Sequence, residues 1–367
     1  MDCRWVEDID KFRDISGEWD RAVIDSGDHN PFLLSDFIVT WWKHFGKGKR
    51  LRIFVVYDDD RISGGIPLYL EKKGLAPLCA GILYYVGGPV ANYTEPLYSG
   101  GKTELLPILA QSLASRADWD VLSLTDLREG SRFVSEANAF GSNGRFRTYV
   151  INDHMNFAID LSDGLDRYIS SISPKLKRDL KAKRKHISNK FGEIILKEVK
   201  GEEEVNRCVD LYRKFSLDAF AARNRSSNFN NERHAEFFRE FLVLMERDGR
   251  LDAHMLMAGD NVLAISFAYR FGRGFNWVLT GFNYEHKYYR PGYILIEELL
   301  KEVARRKESY YNWYGYGRFY KDQWCNLRTP LYKVLIVKKT LKGSLFLISQ
   351  KVRKTAKSLR DLLLKAQ

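Results

Sequence analysis

The chain has 367 residues, 45% of them hydrophobic and 14% aromatic, which excludes a disordered chain and suggests a globular protein of two halves. Its 59 basic against 47 acidic side chains leave a formal charge of +12, a bias toward an anionic partner such as a phosphorylated cofactor, nucleic acid or an acidic membrane surface. No apolar stretch approaches the roughly 20 residues of a membrane-spanning helix, MDCRWVEDIDKF lacks the order of a secretory signal, and Cys3, Cys79, Cys208 and Cys325 form no CxxC pair, so a cytoplasmic chain with reduced thiols is expected.

After a polar, helix-like stretch around Trp19, Phe37, Trp41 and Phe45 recur at four-residue spacing and predict a helix with an aromatic face. Leu51 to Tyr57, DDDR and Ile62 to Leu70 read as two strands about a tight polar turn. Glu104 to Ala117 has helical periodicity, and Trp119 to Thr125 alternates as a buried strand. The second half repeats this mixture, with a strand at Phe157 to Leu161, one long basic helix from Leu165 to Lys190, the strand IILKEV, and helices over Glu202 to Ala222 and Glu232 to Asp248. Three strands then form a meander from Arg250 to Asn283, broken at Gly259-Asp260-Asn261 and Gly272-Arg273-Gly274. Pro291-Gly292 opens a helix to about Arg306, and a strand follows at Tyr310 to Tyr314.

The segment HKYYRPGYILIEELL sets Lys287 and Arg290 beside Gly292 where a helix begins. Helix-terminal N–H groups carry partial positive charge and glycine admits a phosphate closely, so a pyrophosphate fits there, with Tyr293 beside it; the same residues would serve a plain turn before a core helix. In YGRFYKDQW, Tyr320, Lys321 and Trp324 follow Gly315 and Gly317, and Lys321 there could steady negative charge on a reacting oxygen, bind a phosphate or form a surface ion pair. His254, His286 and Glu285 are all open as proton acceptors. The cationic run from Ser173 to Lys190, including Lys175, Lys177, Arg178 and Lys181, suits a sugar diphosphate, RNA or anionic headgroups. At the end, Leu345, Ile348, Val352, Leu359 and Leu363 form the stripe of a basic amphipathic helix that packs on its own domain or rests on a membrane. No HExxH, Walker A or GxSxG motif is present, and no metal site is expected.

Taken together, NPFLLSDFIVTWWKHFG, GGIPLYL, SPKLKRDLKAKRK, DNVLAISFAYRF, Tyr284 followed by RPGYILIEELL, and GYGRFYKDQW resemble GNAT-superfamily acyltransferases of the cellulose-biosynthesis type, distant relatives of Fem-type aminoacyltransferases. The resemblance implies an α/β (α+β) fold of two tandem GNAT-like domains, 1–153 and 154–340, each a mixed, mostly antiparallel sheet flanked by helices, before the basic helix of 341–367. It implies acyl-CoA as co-substrate without a metal, or alternatively an aminoacyl-tRNA donor, and transfer onto an amine or hydroxyl, here of a sugar or sugar-nucleotide. It casts Lys321 as supporting the transition state and the basic residues near Ser173 to Lys185 as acceptor-binding. With the residue readings above, the candidates are Lys321, Tyr320, Glu285 and His286 for catalysis, Lys287, Arg290, Gly292 and Tyr293 for the donor, and Lys175, Lys177, Arg178, Lys181, Tyr284 and Trp324 for the acceptor. Asn312 stands where such relatives often carry an acidic residue.

Overall fold

The computed structural model describes residues 2–27, 30–74, 79–88, 90–100, 103–142, 144–270, 275–313 and 319–350. Its N-terminal half runs β1 (Asp2–Val6), α1 (Ile9–Asp14), α2 (Ser16–Asp25), α3 (Ser35–Phe45), β2 (Arg50–Asp58), β3 (Arg61–Lys73), β4 (Ala80–Tyr85), β5 (Leu97–Tyr98), α4 (Leu105–Ala114), β6 (Val121–Arg128), α5 (Arg132–Phe140) and β7 (Phe146–Asp160). The C-terminal half runs α6 (Leu165–Ser171), α7 (Pro174–Phe191), β8 (Ile194–Glu198), α8 (Glu202–Ala221), α9 (Glu232–Arg247), β9 (Leu251–Ala258), β10 (Asn261–Arg270), β11 (Phe275–Phe282), α10 (Pro291–Arg305), β12 (Tyr310–Asn312), α11 (Phe319–Trp324) and β13 (Leu327–Lys338).

Local chemistry accounts for the boundaries. Asp59 and Asp60 both take positive φ, 45° and 62°, the backbone that a tight two-residue hairpin between β2 and β3 requires. The single basic helix expected from Leu165 to Lys190 is two helices. Ser173 caps α7 by accepting from Leu176 N at 3.2 Å, and Pro174 occupies the first turn, where its missing N–H costs nothing.

All the strands join one 13-stranded sheet in the order β1-β2-β3-β4-β6-β13-β7-β12-β11-β10-β9-β8, with β5 on β3. Pairing is antiparallel except between β4 and β6 and between β11 and β12. Each half therefore repeats one unit: an antiparallel meander, a helix, and a strand parallel to the meander's last. The halves also exchange their last strands. β13 lies between β6 and β7, while β7 pairs with β12. The border expected at 153/154 falls inside β7, which is bonded to neighbours from both its flanks.

Alternation along β9 and β10 divides the core. Ala253, Met255, Ile265 and Phe267 face one side with α8 and α9, whereas Leu256, Ala258, Ala264 and Ala268 face the other with α7 and α10. Residues 341–350 are helical, and Phe346 and Leu347 pack on Ala80, Ile82 and Val337 of the sheet, so this part of the expected C-terminal helix docks on its own domain. Residues 351–367, like Gly315 and Gly317, lie outside the described residues.

Candidate active site

β11 and β12 stay together for only two pairs, Phe275↔Tyr311 and Asn276↔Asn312. Among the described residues, no strand pairs with that edge of β11 from Trp277 onward. α8 closes the gap from one face, and its approach depends on Gly281. A Cβ there would lie 2.9 Å from the Tyr212 ring. The result is a cavity of about 890 Å³ walled by Val278 to Phe282 of β11, by Tyr212, Phe215 and Phe220 of α8, by Arg290 to Tyr293, and by Trp313, Tyr320 and Lys321. Asn92 reaches it from the N-terminal half.

The start of α10 forms one end of this space. Arg290 occupies the left-handed region at φ 51°, Pro291 takes the first turn, and no side chain caps the helix. A Cβ at Gly292 would meet nothing closer than Phe282 at 3.7 Å, so the opening turn is uncrowded. Arg290 is steered by Asp179 of α7, 2.5 Å from its Nη1, and lies 5.5 Å from the Tyr293 ring. Lys287 Nζ lies 4.5 Å from the Tyr284 ring centroid and 3.4 Å from its hydroxyl. An uncapped helix end flanked by two cations on a cavity wall suits an anionic group.

Lys321 also lines the cavity. It is only 4% exposed, and its Nζ donates to the Trp313 carbonyl at 3.1 Å. Trp313 is held in turn, since its N–H donates to Phe157 O at 2.9 Å. Just before it, Asn312 is buried and its Nδ2 donates to the hydroxyl of Tyr93 at 3.0 Å. The lysine is thereby fixed beside the end of β12.

Residues 174–322 match the family model described as "Acetyltransferase (GNAT) domain". That segment of the C-terminal half is similar to GNAT acetyltransferase domains. FemX is a similar solved structure, at TM-score 0.60 and 10% identity over 95% of this chain and 99% of that one. A conserved protein of unknown function from Bacteroides thetaiotaomicron is another, at TM-score 0.54 and 13% identity over 91% and 99%. These two likenesses show the fold alone. No curated protein matches the sequence.

The fold brings seven of the expected residues onto one cavity: Lys321, Tyr320, Lys287, Arg290, Gly292, Tyr293 and Tyr284. Glu285 and His286 do not line it. They lie in the tight helical turn Tyr284–Tyr289, where residues three apart eclipse, so Tyr284 and Lys287 share the cavity side and the two between them point elsewhere. Glu285 is exposed, and the His286 ring rests 5.0 Å from Phe191. Trp324 is a packing residue rather than an acceptor contact: it is 1% exposed, Tyr293 lies 6.3 Å away, and its carbonyl accepts from the Tyr168 hydroxyl at 2.5 Å.

Lys175, Lys177, Arg178 and Lys181 stand on α7 off the cavity wall, and Lys177 donates to Ser170 O at 2.8 Å. His254 is buried in β9 beside Asp252, away from the cavity, and burial lowers its pKa. Sequence reasoning missed Asn92, Tyr212, Phe215, Phe220 and Trp313. The α8 aromatics have ordinary core spacing, and nothing local marks Asn92.

Proposed function

We propose that the protein transfers an acyl group from acyl-CoA to the amino group of a sugar or sugar-nucleotide acceptor used in envelope or exopolysaccharide assembly. One observation carries the reading: a single cavity joins the uncapped start of α10, the edge of β11 that no strand pairs with among the described residues, and Lys321. The residues suit acyl-CoA. Gly292 leaves room for a phosphate at the helix end, Arg290 and Lys287 supply countercharge, and the open β11 edge offers backbone groups to an amide-bearing arm. Bound acyl-CoA supplies the thioester that the acceptor amine attacks. Lys321 is positioned to donate toward the carbonyl oxygen as negative charge grows on it, the kind of pre-set donor that removal experiments value at about 10²–10³-fold in rate. The aromatic rings of α8, with Trp313 and Tyr284, give the acceptor a surface against which to orient.

The test is Lys321→Ala assayed with acyl-CoA donors against free and nucleotide-linked amino sugars. A fall in kcat/KM of about 10²-fold or more, with CoA binding by calorimetry retained, is expected; parental turnover in the variant would sink the assignment. The α7 surface supports a second reading. Lys175, Arg178 and Lys181 are exposed there, a footprint suited to a charged tRNA as donor or to polyanion binding without catalysis. Tight, salt-sensitive binding of aminoacyl-tRNA, with no binding of CoA, would favour it.

A further inference from the structure

Among the described residues of the N-terminal half, Asn92 alone lines the cavity, and the loop that follows it to Glu95 is tightly clamped. The Thr94 hydroxyl donates to Thr125 O. Glu95 is 3% exposed and accepts from Arg128 N at 2.6 Å and from the Ser131 hydroxyl at 2.7 Å. The Arg128 guanidinium lies over the Tyr93 ring at 5.1 Å. Tyr93, 7% exposed, thus reaches the C-terminal half from an anchored base and meets Asn312 at 3.0 Å.

Asn312 is the last paired residue of β12, opposite both Asn276 and Ala158. The next residue is Trp313, whose carbonyl accepts from Lys321 Nζ at 3.1 Å. We propose that Tyr93 is a positioning residue: through Asn312 its hydroxyl fixes the end of β12, and so sets where the Trp313 carbonyl holds Lys321 against the cavity. The first half then supplies part of the site rather than only a partner surface. Burial raises the Tyr93 phenol above its ordinary value, so the group stays neutral at working pH and acts by geometry rather than by exchanging protons. An anchored hydroxyl outside the domain can matter because a misplacement of about 1 Å at a reacting centre costs up to roughly 10²-fold.

The inference rests on the acyl-CoA reading only for its kinetic arm. Tyr93→Phe deletes the hydroxyl and keeps the ring. The expected result is a kcat lowered about tenfold with KM for acyl-CoA within about twofold, an unchanged melting temperature, and a crystal structure in which Lys321 Nζ has left the Trp313 carbonyl. Asn312→Ala should give the same kinetic split, and the double variant should lose no more than Asn312→Ala alone. A Tyr93→Phe structure that keeps the Lys321 contact, or a kcat equal to that of the parent, overturns the proposal. Should the parent chain fail to bind CoA by calorimetry, the acyl-CoA reading falls, while the position of Lys321 in the variant structure still decides the role of Tyr93.

Discussion

In the N-terminal half, the helix after the meander opens against its own protein: α4 begins with the buried Leu105 and Leu106, and Leu106 N–H donates to the Glu136 carboxylate of α5 at 2.7 Å. In the C-terminal half, the corresponding helix α10 opens onto a cavity, with Arg290, Gly292 and Tyr293 on its wall and no side-chain cap. The same supersecondary unit is thus used twice, and the two helix starts differ in what meets them: the Glu136 carboxylate of α5 in the first half, and the cavity in the second.

Closing the open end tests the contrast most directly. Gly292→Asp places a carboxylate in a turn that has room for it. Acidic groups near a helix N-terminus stabilise by about 0.3–1 kcal/mol, so the melting temperature should hold or rise slightly. The affinity for CoA, by contrast, should fall about 30-fold, roughly 2 kcal/mol, because the added charge would repel the phosphates of the proposed donor. Calorimetry paired with thermal melts reads both numbers. Loss of stability with affinity intact would break the comparison.

The seam between the halves gives a second test. His154 of β7 lies 2.9 Å from Asp126 of β6, across β13, and 3.2 Å from Asp153. Hydrogen bonding to Asp126 and then Asp153 raises its pKa from 6.5 to about 9. A raised value means that the charged ring stabilises the folded state, fully below pH 6.5 and progressively less as pH climbs through about 9. His154→Gln should therefore cost on the order of 1–2 kcal/mol at pH 6 and almost nothing above pH 10. Urea melts of parent and variant at several pH values measure this, and parallel curves would show that the seam does not depend on the charge.

How much of this was legible depended on whether the signal was local. The helix end at Pro291-Gly292, its flanking cations and Lys321 lie in short contiguous stretches, and proline and glycine mark chain geometry directly. Strand β13 was missed because LRTPLYKVLIVK carries Pro330 and takes its place only by lying between β6 and β7, about 200 and 180 residues away in the chain. Trp324 follows Lys321 by one turn of α11, and its exclusion from the cavity is decided by Tyr293 and Tyr168, which no local pattern couples to it. The break at Ser173-Pro174 was readable, since serine before proline is an ordinary helix start, but the charge run on either side concealed it.

The smallest effect belongs to α4 of the first half, where Glu136 accepts from the first turn. Burial raises the Glu136 pKa, against the pull of the Leu106 and Leu105 backbone N–H groups and Arg132. The ionised carboxylate is therefore held at a cost, and this contribution to stability weakens as pH rises from below the ordinary glutamate value through the raised one. Glu136→Gln keeps an oxygen for Leu106 N–H and removes the charge, so at neutral pH it should leave stability unchanged or raise it by up to about 1 kcal/mol. It should also flatten the melting temperature across the mildly acidic range. Glu136→Ala, which removes the acceptor, should instead lower stability by about 1 kcal/mol. Neither change should alter CoA affinity, because α4 has no share in the cavity. If Glu136→Ala weakened CoA binding as much as Gly292→Asp, the two helix ends would not be functionally separate, and the division of labour between the halves would have to be redrawn.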